Sequence, residues 1–118
     1  MHNYKELKVW KRAIILAVKV YKLSSSFPVD ERYGLTSQVK RAVVSIASNV
    51  AEGAGRNTNG EFVQFLGIAN GSSFELTTQL IIACELGIIK SEQVEPVLTE
   101  LDEIQKMVFA FINKLKNQ

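Results

Sequence analysis

The sequence contains few of the residues that catalysis, metal binding and disulfide bonding most often use. It has one cysteine, Cys84, and one histidine, His2, among 118 residues. A single cysteine cannot form a disulfide within the chain, so a reducing cytoplasm is the expected location. Neither residue belongs to the pattern of a Cys–His nucleophile, and the E-x-x-H motif of di-iron bundles is missing. We therefore expect no enzymatic activity, no cofactor and no metal site.

Long apolar runs are missing as well. No stretch approaches the roughly 20 residues that span a bilayer, and the polar beginning MHNYKELK does not resemble a secretory signal. We expect a soluble intracellular protein without a membrane segment. Hydrophobic residues nevertheless make up 47% of the sequence, which is sufficient for the core of one domain over residues 1–118.

Apolar residues recur at spacings of three and four, which is typical of amphipathic helices. In the second helix this stripe consists of Val39, Val43, Ile46 and Val50. That helix is expected to end at Gly53, a favourable residue just after a helix, while the Thr58-x-x-Glu61 capping box predicts where the third begins. Helices are expected at about 5–23, 35–53 and 59–86, and after a cap at Ser91. The pattern predicts an all-α, antiparallel up-and-down four-helix bundle.

The second helix has an unusual polar face. Short hydroxyl and amide side chains stand where a solvated helix usually carries Lys and Glu, so the face is either solvated or a partly buried seam against another helix. Ser72 and Gln79 of the third helix could meet this seam. Glu75 is a candidate partner for Arg41, with a solvated Glu75 as the alternative. The polar seam comprises Gln38, Arg41, Ser45, Asn49, Glu52 and Glu75.

The same stretch resembles a known family. QVKRAVVSIASNVAEGAGR, followed by EFVQFLGIANGSSFELTTQL, is similar to the bacterial four-helix-bundle family first met as reading frames inside intervening sequences of the 23S rRNA gene. The family pattern is close to Q-x-R-R-A-x-x-S-I-x-x-N-I-A-E-G-x-x-R and E-F-x-x-F-L-x-I-A-x-G-S-x-x-E-x-x-x-Q-L. Lys40, Ala47 and Thr77 depart from it without removing a distinctive chemical group. The resemblance implies a ring-shaped homopentamer of small antiparallel bundles, whose biochemical role is not established.

Two helices carry more apolar surface than one bundle needs. The apolar arc of the first helix is much wider than the ~100° stripe of a surface helix. Either this helix is central or its second face meets another subunit, and we favour the subunit because a four-helix monomer has no central helix. On the third helix, Val63, Phe74 and Ile81 lie opposite the core stripe. Gly67 and Gly71 each cost roughly 0.5 to 1 kcal/mol relative to Ala, which predicts a close helix crossing.

Charge is unevenly distributed along the sequence. The formal net charge is only +2, but residues 1–26 contain six basic residues against one acidic residue. The basic sector of the first helix is either a solvated face or an electrostatic footprint for phosphate. The glycine-rich turn at residues 53–57 lacks the G-K-[ST] of a P-loop, so we assign it no nucleotide site. The candidate nucleic-acid contacts are Lys8, Lys11, Arg12, Lys19, Lys22, Lys40 and Arg56.

Two functions of different classes fit these features. The first is a homo-oligomer, pentameric by the resemblance, that binds structured RNA or another nucleic acid and gains avidity by repeating its basic surface. The second is a structural hub that binds protein partners and uses its charge for solubility. A continuous basic surface favours the first function, whereas a charge-balanced surface with an exposed apolar groove favours the second.

Overall fold

The computed structural model describes residues 2–118 and contains four α-helices. The helices are α1 (Lys8–Ser24), α2 (Leu35–Ala54), α3 (Asn59–Glu85) and α4 (Ser91–Lys116). Short 3-10 turns occur at Tyr4–Glu6 and Val29–Glu31. No β-strand occurs in this part of the chain. The all-α prediction is therefore confirmed.

In cross-section, the four helices lie at the corners of a square. Neighbours are α1 and α2, α2 and α3, α3 and α4, and α4 and α1, which leaves α1 and α3 on one diagonal and α2 and α4 on the other. His2, which precedes α1, lies beside Phe111 near the end of α4. Arg12, further along the chain in α1, binds Glu100, which comes before Phe111 in α4. The contact residues of α4 therefore come earlier in the sequence as those near and in α1 come later, so α1 and α4 are antiparallel. The bundle measures 46 × 23 × 20 Å.

The core consists of the apolar stripes that the sequence predicts. Val39, Val43, Ile46 and Val50 of α2 have no exposed surface. The apolar residues of α4 also recur at spacings of three and four, and all of them are buried except the half-buried Phe111: Val94, Val97, Leu101, Ile104, Val108 and Leu115. In α3 the buried apolar residues are Phe62, Leu66, Ala69, Leu76, Leu80 and Ala83. Periodicity therefore identifies the inward faces of α2 and α4 correctly. In α3 the spacing also predicts Phe65 in the core, but Phe65 is half-buried and its neighbour Leu66 is buried instead.

The role predicted for Gly53 is wrong. The helix continues through Gly53 to Ala54, and Gly55 follows with φ −83°, so the end of α2 uses no left-handed residue. Gly53 is required instead by the approach of α3. A Cβ atom at this position would lie 2.7 Å from Phe65 Cβ and 2.9 Å from Phe62 Cδ1. The glycine thus permits helix packing and does not form the turn.

Gly67 and Gly71 show the opposite situation. A Cβ atom at either position would meet no atom within 4 Å among residues 2–118. The close crossing that these glycines predict therefore does not occur within the described chain. Both residues lie on the exposed side of α3. Because glycine has no side chain, the helix backbone is uncovered at these two positions.

The beginnings of α3 and α4 are capped differently from each other. Thr58 Oγ1 accepts a hydrogen bond from the Glu61 N–H at 3.1 Å, as the capping box predicts. Ser91, expected as the cap of the fourth helix, is its first helical residue. Lys90 occupies the cap position, and its N–H donates to Gln93 Oε1 at 3.0 Å.

Candidate nucleic-acid interface

The outward face of α1 places four lysines in solvent. Since a helix turns by about 100° per residue, Lys8, Lys11, Lys19 and Lys22 share one sector. All four are exposed. None of them forms an ion pair with a carboxylate of residues 2–118. Their charges are therefore available to an external anion, and we call these four residues the α1 lysine face.

Arg12 differs from the α1 lysine face. Its Nε and Nη2 atoms donate to the two carboxylate oxygens of Glu100, both at 2.8 Å, and Nη2 also donates to Glu103. The hydrogen bond from Arg12 lowers the pKa of Glu100, and its bonds to Glu100 and Glu103 raise the pKa of Arg12. Arg12 therefore joins α1 to α4, and its guanidinium is occupied within the fold.

Replacing Glu100 by Gln should destabilise the bundle by roughly 1 kcal/mol at pH 7, because Arg12 loses a charged acceptor in a half-buried site. A glutamate has an ordinary pKa near 4.3. Since the folded-state pKa of Glu100 is lower, its contribution is present above about pH 4.3 and is lost as the pH falls through the folded-state value. Thermal melts at pH 7 and pH 3 should show a larger difference from wild type at pH 7 than at pH 3.

Glu95→Gln is the matched control, because Glu95 is exposed on the same helix and pairs with no basic residue of the described chain. It should leave the melting temperature almost unchanged at both pH values. If Glu95→Gln and Glu100→Gln shift the pH 7 melting temperature equally, the Arg12–Glu100 pair does not stabilise the bundle.

The middle of the polar seam forms between α2 and α3. Ser45 Oγ and Ser72 Oγ are 2.9 Å apart. Asn49 Nδ2 donates to the Ser45 carbonyl oxygen at 2.8 Å and to Ser45 Oγ at 2.9 Å. Gln79, the other α3 residue expected near the seam, is buried, but its Oε1 has no hydrogen-bond partner within residues 2–118.

The ends of the polar seam do not close. Gln38, Arg41, Glu52 and Glu75 are exposed. Within residues 2–118 no ion pair joins Arg41 to Glu75, so the solvated alternative is correct for Glu75.

Arg56, a candidate nucleic-acid contact, is also engaged within the chain. Its Nη2 donates to Glu52 Oε1 at 3.1 Å, and its guanidinium carbon lies 4.7 Å from the centre of the Phe65 ring. Arg56 and Arg12 thus have intramolecular partners, whereas the α1 lysine face has none in the described chain. Lys40 contacts the face of the Tyr21 ring, with Nζ 5.0 Å from the ring centre.

A cleft of about 600 Å³ opens where α1 ends and α2 begins. Its basic lining residues are Arg32, Lys40 and Arg41. The sequence predicts only Lys40 of this group as a nucleic-acid contact, because Arg32 lies in a connection and the helix spacing places Arg41 in the polar seam. The signal that could have found it is the pair of adjacent basic residues in the second turn of α2, shortly after an arginine in the preceding connection.

Basic and acidic residues occupy different parts of the bundle. Residues 5–41 contain nine basic and three acidic residues, whereas residues 42–118 contain five basic and nine acidic residues. Because α1 and α2 are neighbours, the excess of positive charge lies along α1 and the first turns of α2. On the other side of α1, Glu100 and Glu103 of α4 pair with Arg12 and neutralise part of this charge.

Large apolar side chains are exposed at two opposite corners of the bundle. On α3, Phe74 is 55% exposed and Ile81 is 46% exposed. On α1, Ile14, Val18 and Tyr21 are exposed and lie beside the α1 lysine face. Val63, also expected to face outward, instead packs partly buried against the core. We call Phe74 and Ile81, with Gly67 and Gly71, the outer strip of α3.

Among residues 2–118, no three His, Cys, Asp or Glu side chains are grouped so that they could hold a metal ion. None of the four helices is both long enough and apolar enough to cross a membrane.

Comparison with known proteins identifies a family and a fold. The family model described as "23S rRNA-intervening sequence protein" matches residues 5–110. The fold is similar to the crystal structure of a protein of unknown function from the S23 ribosomal protein family of Bacteroides thetaiotaomicron, with a TM-score of 0.81 and 25% sequence identity. That alignment covers 88% of this chain and 97% of the other. A search of curated proteins finds no match. Neither description names an enzymatic activity.

Proposed function

This chain belongs to the family of 23S rRNA-intervening sequence proteins, and from that premise we propose that it is a non-enzymatic, homo-oligomeric four-helix bundle of the cytoplasm that binds structured RNA. The α1 lysine face is the observation that supports RNA binding. Its side chains are exposed and unpaired within residues 2–118, whereas Arg12, Arg56 and Lys106 have carboxylate partners. Unpaired cations release counterions when they neutralise phosphates, and this release supplies affinity without base identity.

The length of the α1 lysine face suits a nucleic-acid backbone. Lys8 and Lys19 are eleven residues apart, or roughly 16 Å at 1.5 Å per residue of helix. A straight row of ammonium groups of this length can contact several successive phosphates. Contacts from lysines to phosphates carry no base identity, so affinity should depend on RNA shape and charge more than on sequence.

Self-association is the second part of the proposal. The apolar corners on α1 and α3 lie on a diagonal of the bundle, so they face in different directions. If the corner of one copy contacts the other corner of the next, the interface is heterologous, and such an interface produces a ring when the rotation closes. The family resemblance suggests five copies. A ring would repeat the α1 lysine face and thereby raise the avidity for a long RNA.

Replacing Lys8, Lys11 and Lys19 by Gln should weaken binding to every structured RNA, because the contacts carry charge but no base identity. The slope of log affinity against log salt should become shallower by roughly 0.7 to 0.9 for each lost phosphate contact. Fluorescence anisotropy with a labelled RNA hairpin, between about 50 and 200 mM salt, measures both quantities.

The matched control replaces Lys90, Lys114 and Lys116 by Gln. These lysines are exposed outside α1, so the control removes the same charge from other parts of the bundle. It should reduce affinity far less. Equal losses in the two triple variants would mean that net charge alone attracts RNA and that the α1 lysine face is not the contact surface.

A protein-binding hub remains the alternative function, and one feature favours it. Phe74 and Phe109, which are 55% and 62% exposed, line a groove of about 380 Å³ between α3 and α4. An exposed apolar groove of this kind can accept a side chain of a protein partner. If wild-type protein binds no RNA at low salt, this alternative replaces the RNA-binding proposal.

A further inference from the structure

The cleft at the α1–α2 corner combines features that the α1 lysine face lacks. Its volume, about 600 Å³, lies within the range of small-molecule sites. Three segments border it, and it is open to solvent on its outer side: the end of α1, the connection around residues 28–33, and the first two turns of α2. It is therefore a concave site, and it has a different shape from the open helix face beside it.

The lining of the cleft is positively charged. Arg32, Lys40 and Arg41 line it, and no acidic residue among residues 2–118 does. None of these three side chains forms an ion pair with a described carboxylate. Three like charges around one cavity repel one another, and a bound anion would relieve this repulsion.

Hydrogen-bond donors accompany the charge. Thr36 and Ser37, in the first turn of α2, also line the cleft, and each carries a hydroxyl group that can donate a hydrogen bond. Glu31 Oε1 accepts the Leu35 N–H at 3.1 Å and is not part of the lining. Arginine guanidinium groups bind phosphate oxygens in a bidentate manner, so two arginines in one cleft favour a phosphoryl group as the anion.

An aromatic ring stands beside these donors. Tyr33 also lines the cleft and is 90% exposed, so both faces of its ring are accessible. Exposed aromatic rings next to basic residues stack on nucleobases. Tyr21 of α1 also lines the cleft, and the face of its ring contacts the Lys40 ammonium. A phosphoryl group and a planar ring are the two parts of a nucleotide.

We propose that this cleft binds one nucleotide, with its phosphate on Arg32, Lys40 and Arg41 and its nucleobase stacked on Tyr33. Nothing in this arrangement depends on Lys8, Lys11 or Lys19. The nucleotide is either free or part of a single-stranded segment of RNA, and the chemistry of recognition is the same in both cases.

Isothermal titration of the full chain with adenosine 5′-monophosphate at low salt tests the site. We expect saturable binding that is at least about tenfold tighter than binding of inorganic phosphate or of adenosine. Replacing both Arg32 and Arg41 by Gln should weaken the binding of adenosine 5′-monophosphate at least about tenfold. Tyr33→Ala should reduce the affinity for adenosine 5′-monophosphate to that for inorganic phosphate, which should not change.

Two controls keep the test decisive. Arg32, Arg41 and Tyr33 are exposed, so all these variants should melt at the wild-type temperature, and a lost signal then reports the site and not the fold. The triple variant of Lys8, Lys11 and Lys19 should bind adenosine 5′-monophosphate as wild type does, which separates this site from the proposed RNA contacts of α1.

A single-stranded oligoadenylate of about eight nucleotides identifies the source of the nucleotide. If it binds more tightly than adenosine 5′-monophosphate and competes with it, the site holds part of an RNA strand. If it does not compete, the site holds a free nucleotide. The proposal is overturned if adenosine 5′-monophosphate gives no saturable binding, or if the Arg32 and Arg41 replacements leave its affinity unchanged.

Discussion

Gly53→Ala should lower the free energy of unfolding by about 1 to 3 kcal/mol, the usual cost of an added methyl group in a packed helix contact. The new Cβ atom would lie 2.7 Å from Phe65 Cβ and 3.3 Å from the Phe62 carbonyl oxygen. Neither atom is at the free end of a flexible side chain, so α2 and α3 must move apart. At roughly 4 °C per kcal/mol, the melting temperature should fall by about 4 to 12 °C.

Gly60→Ala is the matched control for this substitution. Gly60 lies in the first turn of α3, and a Cβ atom there would be 4.0 Å from its nearest neighbour, Thr58 Oγ1. In a helix this change should stabilise the protein by about 0.4 to 1 kcal/mol, because it reduces the freedom of the unfolded chain. Urea denaturation of both variants at one protein concentration compares them. A Gly53→Ala midpoint at or above that of wild type would contradict the packing described for α2 and α3.

Replacing Phe74 and Ile81 by Glu should dissociate the proposed assembly into single chains of 13.2 kDa. The two residues are seven positions apart, so they lie two turns from each other on the outer strip of α3. A buried, unpaired carboxylate makes the free energy of association less favourable, so two of them at one interface should prevent association. Multi-angle light scattering at micromolar concentration measures the change in mass.

The control for the assembly test replaces Val29 and Leu86 by Glu. Both are apolar and exposed, at 80% and 66%, but they lie in connections and do not belong to a continuous strip. This variant has the same added charge and should keep the wild-type mass. If the wild-type protein itself has the mass of one chain, or if the Phe74 and Ile81 variant keeps the wild-type mass, the outer strip of α3 is not an interface between copies.

The sequence predicts the core of this bundle well, because burial in a helix repeats every three to four residues. Val39, Val43 and Ile46 could therefore be assigned to the core from spacing alone. The same spacing could not place Arg41, since it gives the direction of a side chain within its helix but not the rotation of that helix against α3. A difference of a few tens of degrees is sufficient to put a flanking residue in solvent.

Contacts between distant parts of the chain are the features that periodicity cannot supply. Arg12 and Glu100 are 88 residues apart, and their pairing depends on α1 being the neighbour of α4. Gly53 is explained by two phenylalanines of α3 and not by its own position near the end of α2. The cleft likewise depends on the path of the connection between α1 and α2. This path places Arg32 and Tyr33 at the same cleft as Arg41.

Binding of a structured RNA hairpin by the wild-type protein, measured as affinity against salt concentration, tests the proposed function most directly. Contacts from the α1 lysine face predict measurable affinity at about 50 mM salt and a linear fall of log affinity with log salt, with a slope of roughly −0.7 to −0.9 per phosphate contacted. No binding at about 50 mM salt, or binding that does not change with salt, would contradict it.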